Sequence, residues 1–120
     1  MKKVLLYWIL LYFYSFAIFY YSSNAEPGKG LGIQPLINTY SFYIHVIEYF
    51  IFTILAYLAF TNTNLLKKNI IFSTILFVTL FSISDEIHQL FVPGRYFSII
   101  DMITNTLSSF LFFSIKTIYK

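Results

Sequence analysis

Four long apolar runs separated by polar breaks pattern this chain of 120 residues, at positions 4–21, 41–60, 69–91 and 98–115. Each is long enough to cross a hydrocarbon core of roughly 30 Å, which takes about 20 helical residues. The breaks are unequal. Residues 22–40 contain Ser22-Ser23-Asn24, Pro27-Gly28, Gly30-Leu31-Gly32 and Pro35 and read as a loop, whereas 61–68 and 92–97 are short turns. Short turns make helices 2 and 3, and helices 3 and 4, antiparallel neighbours. The pattern predicts an all-α polytopic membrane protein with four transmembrane helices. Its expected parts are a first helix with an outer loop (1–40), a three-helix core (41–115) and a short tail (116–120).

Lysines orient these spans. Lys2, Lys3, Lys67, Lys68, Lys116 and Lys120 fall on one side of a four-span arrangement, leaving Lys29 and Arg95 on the other. The positive-inside bias then predicts cytoplasmic N- and C-termini. Lys2-Lys3, an apolar run and Ser23-Asn24-Ala25 imitate a cleavable signal peptide, but the run of 18 residues exceeds the usual core of about 7–15, so an uncleaved first helix is expected.

Composition agrees with the membrane class, at 58% apolar and 11% charged residues and a mean hydropathy of +0.73. The lipid bilayer is therefore the partner the chain requires. With no cysteine, disulfides, thiol nucleophiles and thiolate metal sites drop out, leaving His, Asp and Glu as the only ligands for any metal. The net charge of +3 comes from basic residues at the ends of apolar runs. They form no patch for nucleic acid, which is excluded as a partner. The 15 Phe and 11 Tyr match drift in an AT-rich genome, and no binding role is read from them.

The remaining polarity is concentrated. His45, Glu48 and Tyr49 share one face of helix 2, Ser82, Asp85, His88 and Gln89 one face of helix 3, and Ser98, Asp101, Asn105 and Ser108 one face of helix 4. Glu86 lies about 100° around the helix from Asp85 and faces another neighbour or the edge of the cluster. All three stripes fall near the outer end, which predicts an outward-facing polar pocket between helices 2, 3 and 4. A charged acid at the centre of a membrane helix costs on the order of 2.5–3.5 kcal/mol, so Glu48, Asp85, Glu86 and Asp101 should face one another rather than lipid.

Paired carboxylates beside histidine suit acid–base chemistry, making Glu48, Asp85, His45 and Glu86 the candidate catalytic residues. Arg95 suits an anion, and His88, Gln89, Asp101 and Asn105 join it as candidate binding residues. A metal site built from His45, Glu48, Asp85 and His88 is the weaker alternative, and the residues name no cofactor. Plainer readings stand beside these. Asp101 and Asn105 suit interhelical hydrogen bonding, Arg95 suits an interface anchor, and His45 with Glu48 suits a structural pair.

Three stretches carry a family resemblance: His45-Val46-Ile47-Glu48-Tyr49-Phe50, then Ser84-Asp85-Glu86-Ile87-His88-Gln89-Leu90-Phe91-Val92-Pro93-Gly94-Arg95, then Asp101 and Asn105. Together, over roughly residues 41–115, they resemble the signature of VanZ-like membrane proteins. The resemblance implies a small multi-pass protein of the bacterial cytoplasmic membrane, whose prototype lowers susceptibility to the glycopeptide teicoplanin. It supplies no reaction. An enzyme acting on an outer-leaflet, lipid-linked substrate, a non-catalytic binder of a lipid or glycopeptide, and a small proton-coupled exporter all remain open, as does oligomeric state. Family members often carry small glycines after the asparagine, where this chain has Ser108 and Phe112, and looser packing of the inner half of helix 4 is expected.

One expectation follows from charge alone. One Arg and two His cannot neutralise four helical acids, so a bound cation or a retained proton must balance the cluster. Infrared difference spectroscopy that found all four carboxylates ionised with no metal bound would overturn it.

Overall fold

The structure, a computed structural model, describes residues 2–24 and 39–119. Within them the chain is all helical: α1 Lys2–Ser22, α2 Thr39–Asn62, a short 3-10 helix Asn64–Asn69, α3 Ile70–Gln89 and α4 Ile99–Ile118. The expected glycine- and proline-rich loop with Lys29, apart from Ser22-Ser23-Asn24 and Thr39-Tyr40, lies outside the described residues, as does Lys120. Ser22 closes α1 instead of opening the loop, and α2 starts at Thr39.

Among the described residues, three segments are long and apolar enough to cross a membrane: Lys2–Ser22, Phe42–Asn62 and Lys67–Gln89. α4, expected as a fourth span, has 20 residues, about 30 Å of helix, but carries too many polar groups to match their apolarity. Those groups are segregated. Thr104, Asn105, Ser108 and Ser109 are buried, while Ile99, Ile103, Leu107 and Phe110 are exposed. The helix is thus polar inside and apolar outside, the reverse of a soluble surface helix.

Pairs of touching residues give the helix directions. Phe60 meets Phe77 and Tyr49 meets Phe81, so α2 and α3 run antiparallel. Thr79 bonds Thr106 and Ser82 bonds Asn105, so α3 and α4 do too. His45 meets Asn105 and Thr53 meets Ser109, which makes α2 and α4 parallel. α1 runs with α3, since Phe19 packs on Phe81 and Ser22 bonds Asp85. α2 and α3 form the centre, with α1 on one side and α4 on the other. One end of the bundle consequently collects Lys2, Lys3, Lys67, Lys68 and Lys116, and the other collects His45, His88, Glu48, Asp85, Glu86, Asp101 and Arg95.

The two interfaces differ in kind. Between α1, α2 and α3 the packing is aromatic: Phe52 lies 4.6 Å from Phe81 and 5.8 Å from Phe77, and Trp8 lies 5.7 Å from Phe60, ring centre to ring centre. The aromatics therefore build a core, beyond any drift in composition. Between α2 and α4 the contact is made by small side chains. Thr53, Ala56, Ser108 and Ser109 are buried, and the Thr53 and Ser109 hydroxyls meet at 3.1 Å. Toward the C-terminal half of α4, Phe112 packs against Phe50 and Tyr57 of α2 and beside Phe113.

At its C-terminal end α3 tightens through successive three-residue bonds, Leu90 to Ile87, Phe91 to His88 and Val92 to Gln89, and so ends at Gln89, short of the expected Phe91. Arg95 then donates its N–H to the Val92 carbonyl at 3.1 Å. With Pro93 in the second position and Gly94 at φ 79 in the third, this is a type II turn, which needs glycine there. It folds Arg95 back over the end of α3.

The α2–α4 contact generates a prediction. Ser109→Leu should force the helices apart and lower stability by about 1–3 kcal/mol, the usual range for overpacking. Ser109→Ala should cost less than about 1 kcal/mol, in line with single interhelical hydrogen bonds in membranes. Thermal unfolding in detergent compares them, and equal losses would mean that the hydrogen bond, not the close approach, holds α4 in place.

Candidate functional site

Asp85, Glu86 and Gln89 all lie on the last turn and a half of α3, and all are buried, with Asp85 at 1% and Glu86 at 0% exposure. Gln89 links them. Its amide nitrogen donates to Asp85 Oδ2 at 3.3 Å and to Glu86 Oε1 at 3.5 Å, while its oxygen accepts from Arg95 Nη2 at 3.1 Å. The i, i+3 and i+4 spacing that predicted a shared face on α3 also brings Glu86 into this network, through Gln89.

Glu86 has a further partner. Its Oε2 accepts the backbone N–H of Ser98 at 2.8 Å. Ser98 is the N-cap of α4, and its hydroxyl accepts the N–H of Asp101 at 3.1 Å. In a capping box the acid three residues after the cap would reach back to the cap's own N–H. Here Glu86 of α3 takes that position. The carboxylate of Asp101 turns elsewhere, with Oδ2 lying 3.7 Å from His45 Nε2.

His45 joins α2 to this end of α4. Its Nδ1 meets Asn105 Oδ1 at 3.0 Å, and Asn105 Nδ2 donates to Ser82 Oγ at 2.8 Å. Because the Asn105 amide nitrogen is used on Ser82, its oxygen must accept from His45, which puts a proton on Nδ1. Nε2 then faces Asp101. One asparagine thus ties α2, α3 and α4 together.

Glu48 is half-buried one turn further along α2, within electrostatic reach of Asp85 and Arg95. Its backbone carbonyl accepts the Tyr14 hydroxyl from α1 at 3.0 Å. Residue 49 is fully buried. The Tyr49 ring lies 6.4 Å from Phe81, one helical turn before Asp85. Asp85 Oδ1 is buried without a hydrogen-bond partner in the chain, and Tyr49 Oη, buried near Ser82, makes no hydrogen bond of good geometry. Leaving such a group unmet costs about 1–3 kcal/mol.

The first helix contributes groups that the sequence pattern did not single out. Ser22 Oγ donates to Asp85 Oδ2 at 2.8 Å, and Ser23 Oγ meets His88 Nε2 at 2.7 Å. His88 also packs on Phe19 at 5.2 Å. It therefore faces α1, away from His45. Two adjacent serines at the end of an apolar run, level with the acids across the bundle, were the available signal. Among the described residues no three His, Asp or Glu side chains converge closely enough to hold a metal ion, so His45, Glu48, Asp85 and His88 are not gathered into one coordinating group.

The nine candidate residues thus fall into two connected halves. One is Asp85, Glu86, Gln89 and Arg95, with Glu48 nearby and His88 turned toward α1. The other is His45, Asp101 and Asn105. Both lie at one end of the bundle, with the buried Tyr49 at the same level.

Comparison with known proteins bears on the whole chain. The VanZ/LLP1 family model matches residues 3–120, which include the first helix as well as the polar stripes. No curated protein and no solved structure matches.

The cap of α4 can be tested directly. Glu86→Ala should destabilise the protein by about 1–3 kcal/mol by leaving the Ser98 N–H unmet, and Glu86→Gln by less, since its amide oxygen still accepts. Hydrogen exchange at Ser98 and the first turn of α4 should quicken in the alanine variant. Unchanged exchange there would show that Glu86 does not anchor the helix.

Proposed function

The chain belongs to the VanZ/LLP1 family, and from that premise we propose a four-span membrane protein whose polar end faces out of the cell and receives the polar head of an envelope amphiphile. Lipid-linked wall precursors, outer-leaflet lipids and glycopeptide drugs share that chemistry, and reduced susceptibility to teicoplanin is one outcome it would have. The six lysines against two support the orientation, with both termini in the cytoplasm. The outward apolar face of α4 supports counting it as a span despite its buried polar groups.

The observation that carries the reading is a pair of buried groups, Asp85 Oδ1, which has no partner in the chain, and Tyr49 Oη, which makes no hydrogen bond of good geometry. Asp85 Oδ2 is already held by Ser22 and Gln89, which fixes the carboxylate and leaves one oxygen for a ligand. Tyr49 supplies a buried hydroxyl on the facing helix, and Glu48 a second acid within electrostatic reach. Arg95, carried on the type II turn and steered by Gln89, is suited to a phosphate or carboxylate on the incoming head. His45, Asp101 and Asn105 position helices in this reading.

A second reading, a binder or shield that performs no chemistry, is favoured by how many of the polar groups are spent on one another. A proton-coupled exporter finds less support, because the four helical acids all lie at the polar end and the lysine end has none.

Asp85→Asn and Tyr49→Phe are isosteric and test the site. Lipid and wall-precursor profiles of cells with and without the protein should differ, and both variants should erase that difference while accumulating at normal levels. If Asp85 works as acid or base, its variant should lose about a hundredfold in rate with binding retained. A binder would lose affinity instead. Both variants keeping the full wild-type effect would sink the proposed site.

A further inference from the structure

At the opposite end of the bundle a cavity of about 590 Å³ opens beside the start of α3. Lys67, Lys68 and Asn69 line its mouth at the start of α3, and Ile71, Ile75 and Phe110 form its apolar wall along the helix. Ile75 lies five residues into α3, about 8 Å by helical rise, and Phe110 reaches across from α4. The lining grades from cationic to apolar along the helix axis. We propose that this groove binds an anionic glycerophospholipid of the leaflet on the lysine side, with its phosphate at Lys67 and Lys68 and an acyl chain along Ile71, Ile75 and Phe110.

Three observations converge. Both lysines are exposed, and the four helical acids that might have paired with them lie at the other end of the bundle. The N-cap of α3, Asn69, makes no side-chain capping hydrogen bond, so the positive end of the helix dipole meets the same mouth. The walls below are apolar and lie where a lipid chain would run, and basic pockets between membrane helices are suited to anionic head groups. A soluble anion would have no use for the apolar floor. A second copy of the chain docking by this face would bring like charges together at Lys67 and Lys68. The groove is remote from Asp85 and Tyr49, so the proposal stands or falls independently of the function assigned to the polar end.

Native mass spectrometry of the full-length protein, released from vesicles of phosphatidylglycerol and phosphatidylcholine in equal parts, tests it. The wild type should retain phosphatidylglycerol preferentially. Lys67→Gln with Lys68→Gln should weaken retention by about fivefold per lysine at low salt, whereas Lys2→Gln with Lys3→Gln at the same end should change it less than about twofold. Ile75→Trp, which fills the floor and keeps both charges, should also lower retention. Equal retention of the two lipids, equal loss in both lysine pairs, or full displacement by inorganic phosphate would each overturn the proposal.

Discussion

The side chain of Gln89 is the joint on which the polar end depends. Its amide reaches two carboxylates on its own helix and a guanidinium on the following turn, all in a region where water is scarce. An amide has both donor and acceptor ends, so it can sit between Asp85 and Glu86 on one side and Arg95 on the other without adding charge. Neither a carboxylate nor an amine in that position would serve both. With Gln89 in place, Glu86 is held toward Ser98 and fixes the start of α4, and Asp85 is held toward Ser22 and fixes the end of α1. Three helices, α1, α3 and α4, thus meet through hydrogen bonds that trace back to one residue.

Between lipid-facing helices there is little hydrophobic drive, because a lipid tail is as apolar as a leucine. Packing and buried hydrogen bonds must hold the bundle instead, and the chain divides these tasks by interface. α1, α2 and α3 interlock through large rings, which gain dispersion energy over wide contact areas. α2 and α4 approach through threonine, alanine and serine, where short side chains allow backbones to come close and hydroxyls to meet. Of the polar residues that lower the apolarity of α4, Thr104, Asn105, Ser108 and Ser109 are buried, whereas Ser114 and Thr117 near its end are exposed. Mean hydropathy understates such a helix, since averaging around its circumference hides an apolar outer face.

Much of this was legible in the sequence, and the illegible parts share a cause. Periodicity placed Asp85 with His88 and Gln89, and Asp101 with Asn105, because residues three and four apart must share a face of any helix. It could not tell which neighbour a face would meet. His88 follows Asp85 by one turn yet turns to Ser23, and Glu86, about 100° from Asp85, turns to Ser98 and bonds Gln89. Those choices depend on the rotation of each helix in the bundle, which no single run of sequence encodes. Ser22 and Ser23 were hidden for a related reason. At the end of an apolar run, two serines look like the start of a loop until the facing helix presents an acid and a histidine at the same level.

The division of the polar end into a closed and an open half bears on what it can do. His45, Asp101, Asn105 and Ser82 form a chain in which each partner is used, and breaking it would cost the packing of three helices. Such a chain is poorly placed to serve a ligand, because a ligand could bind only by displacing it. On the other side, Asp85 is immobilised through one oxygen while the other meets nothing in the chain, and the hydroxyl of Tyr49 makes no hydrogen bond of good geometry. Rigid groups with unspent hydrogen-bonding capacity lose little entropy when a partner arrives, which is the property a binding or reacting site needs. The acids are therefore unequal in what they have spent: Glu86 holds the Ser98 N–H and Asp101 faces His45, whereas Asp85 keeps one oxygen unmet within the chain.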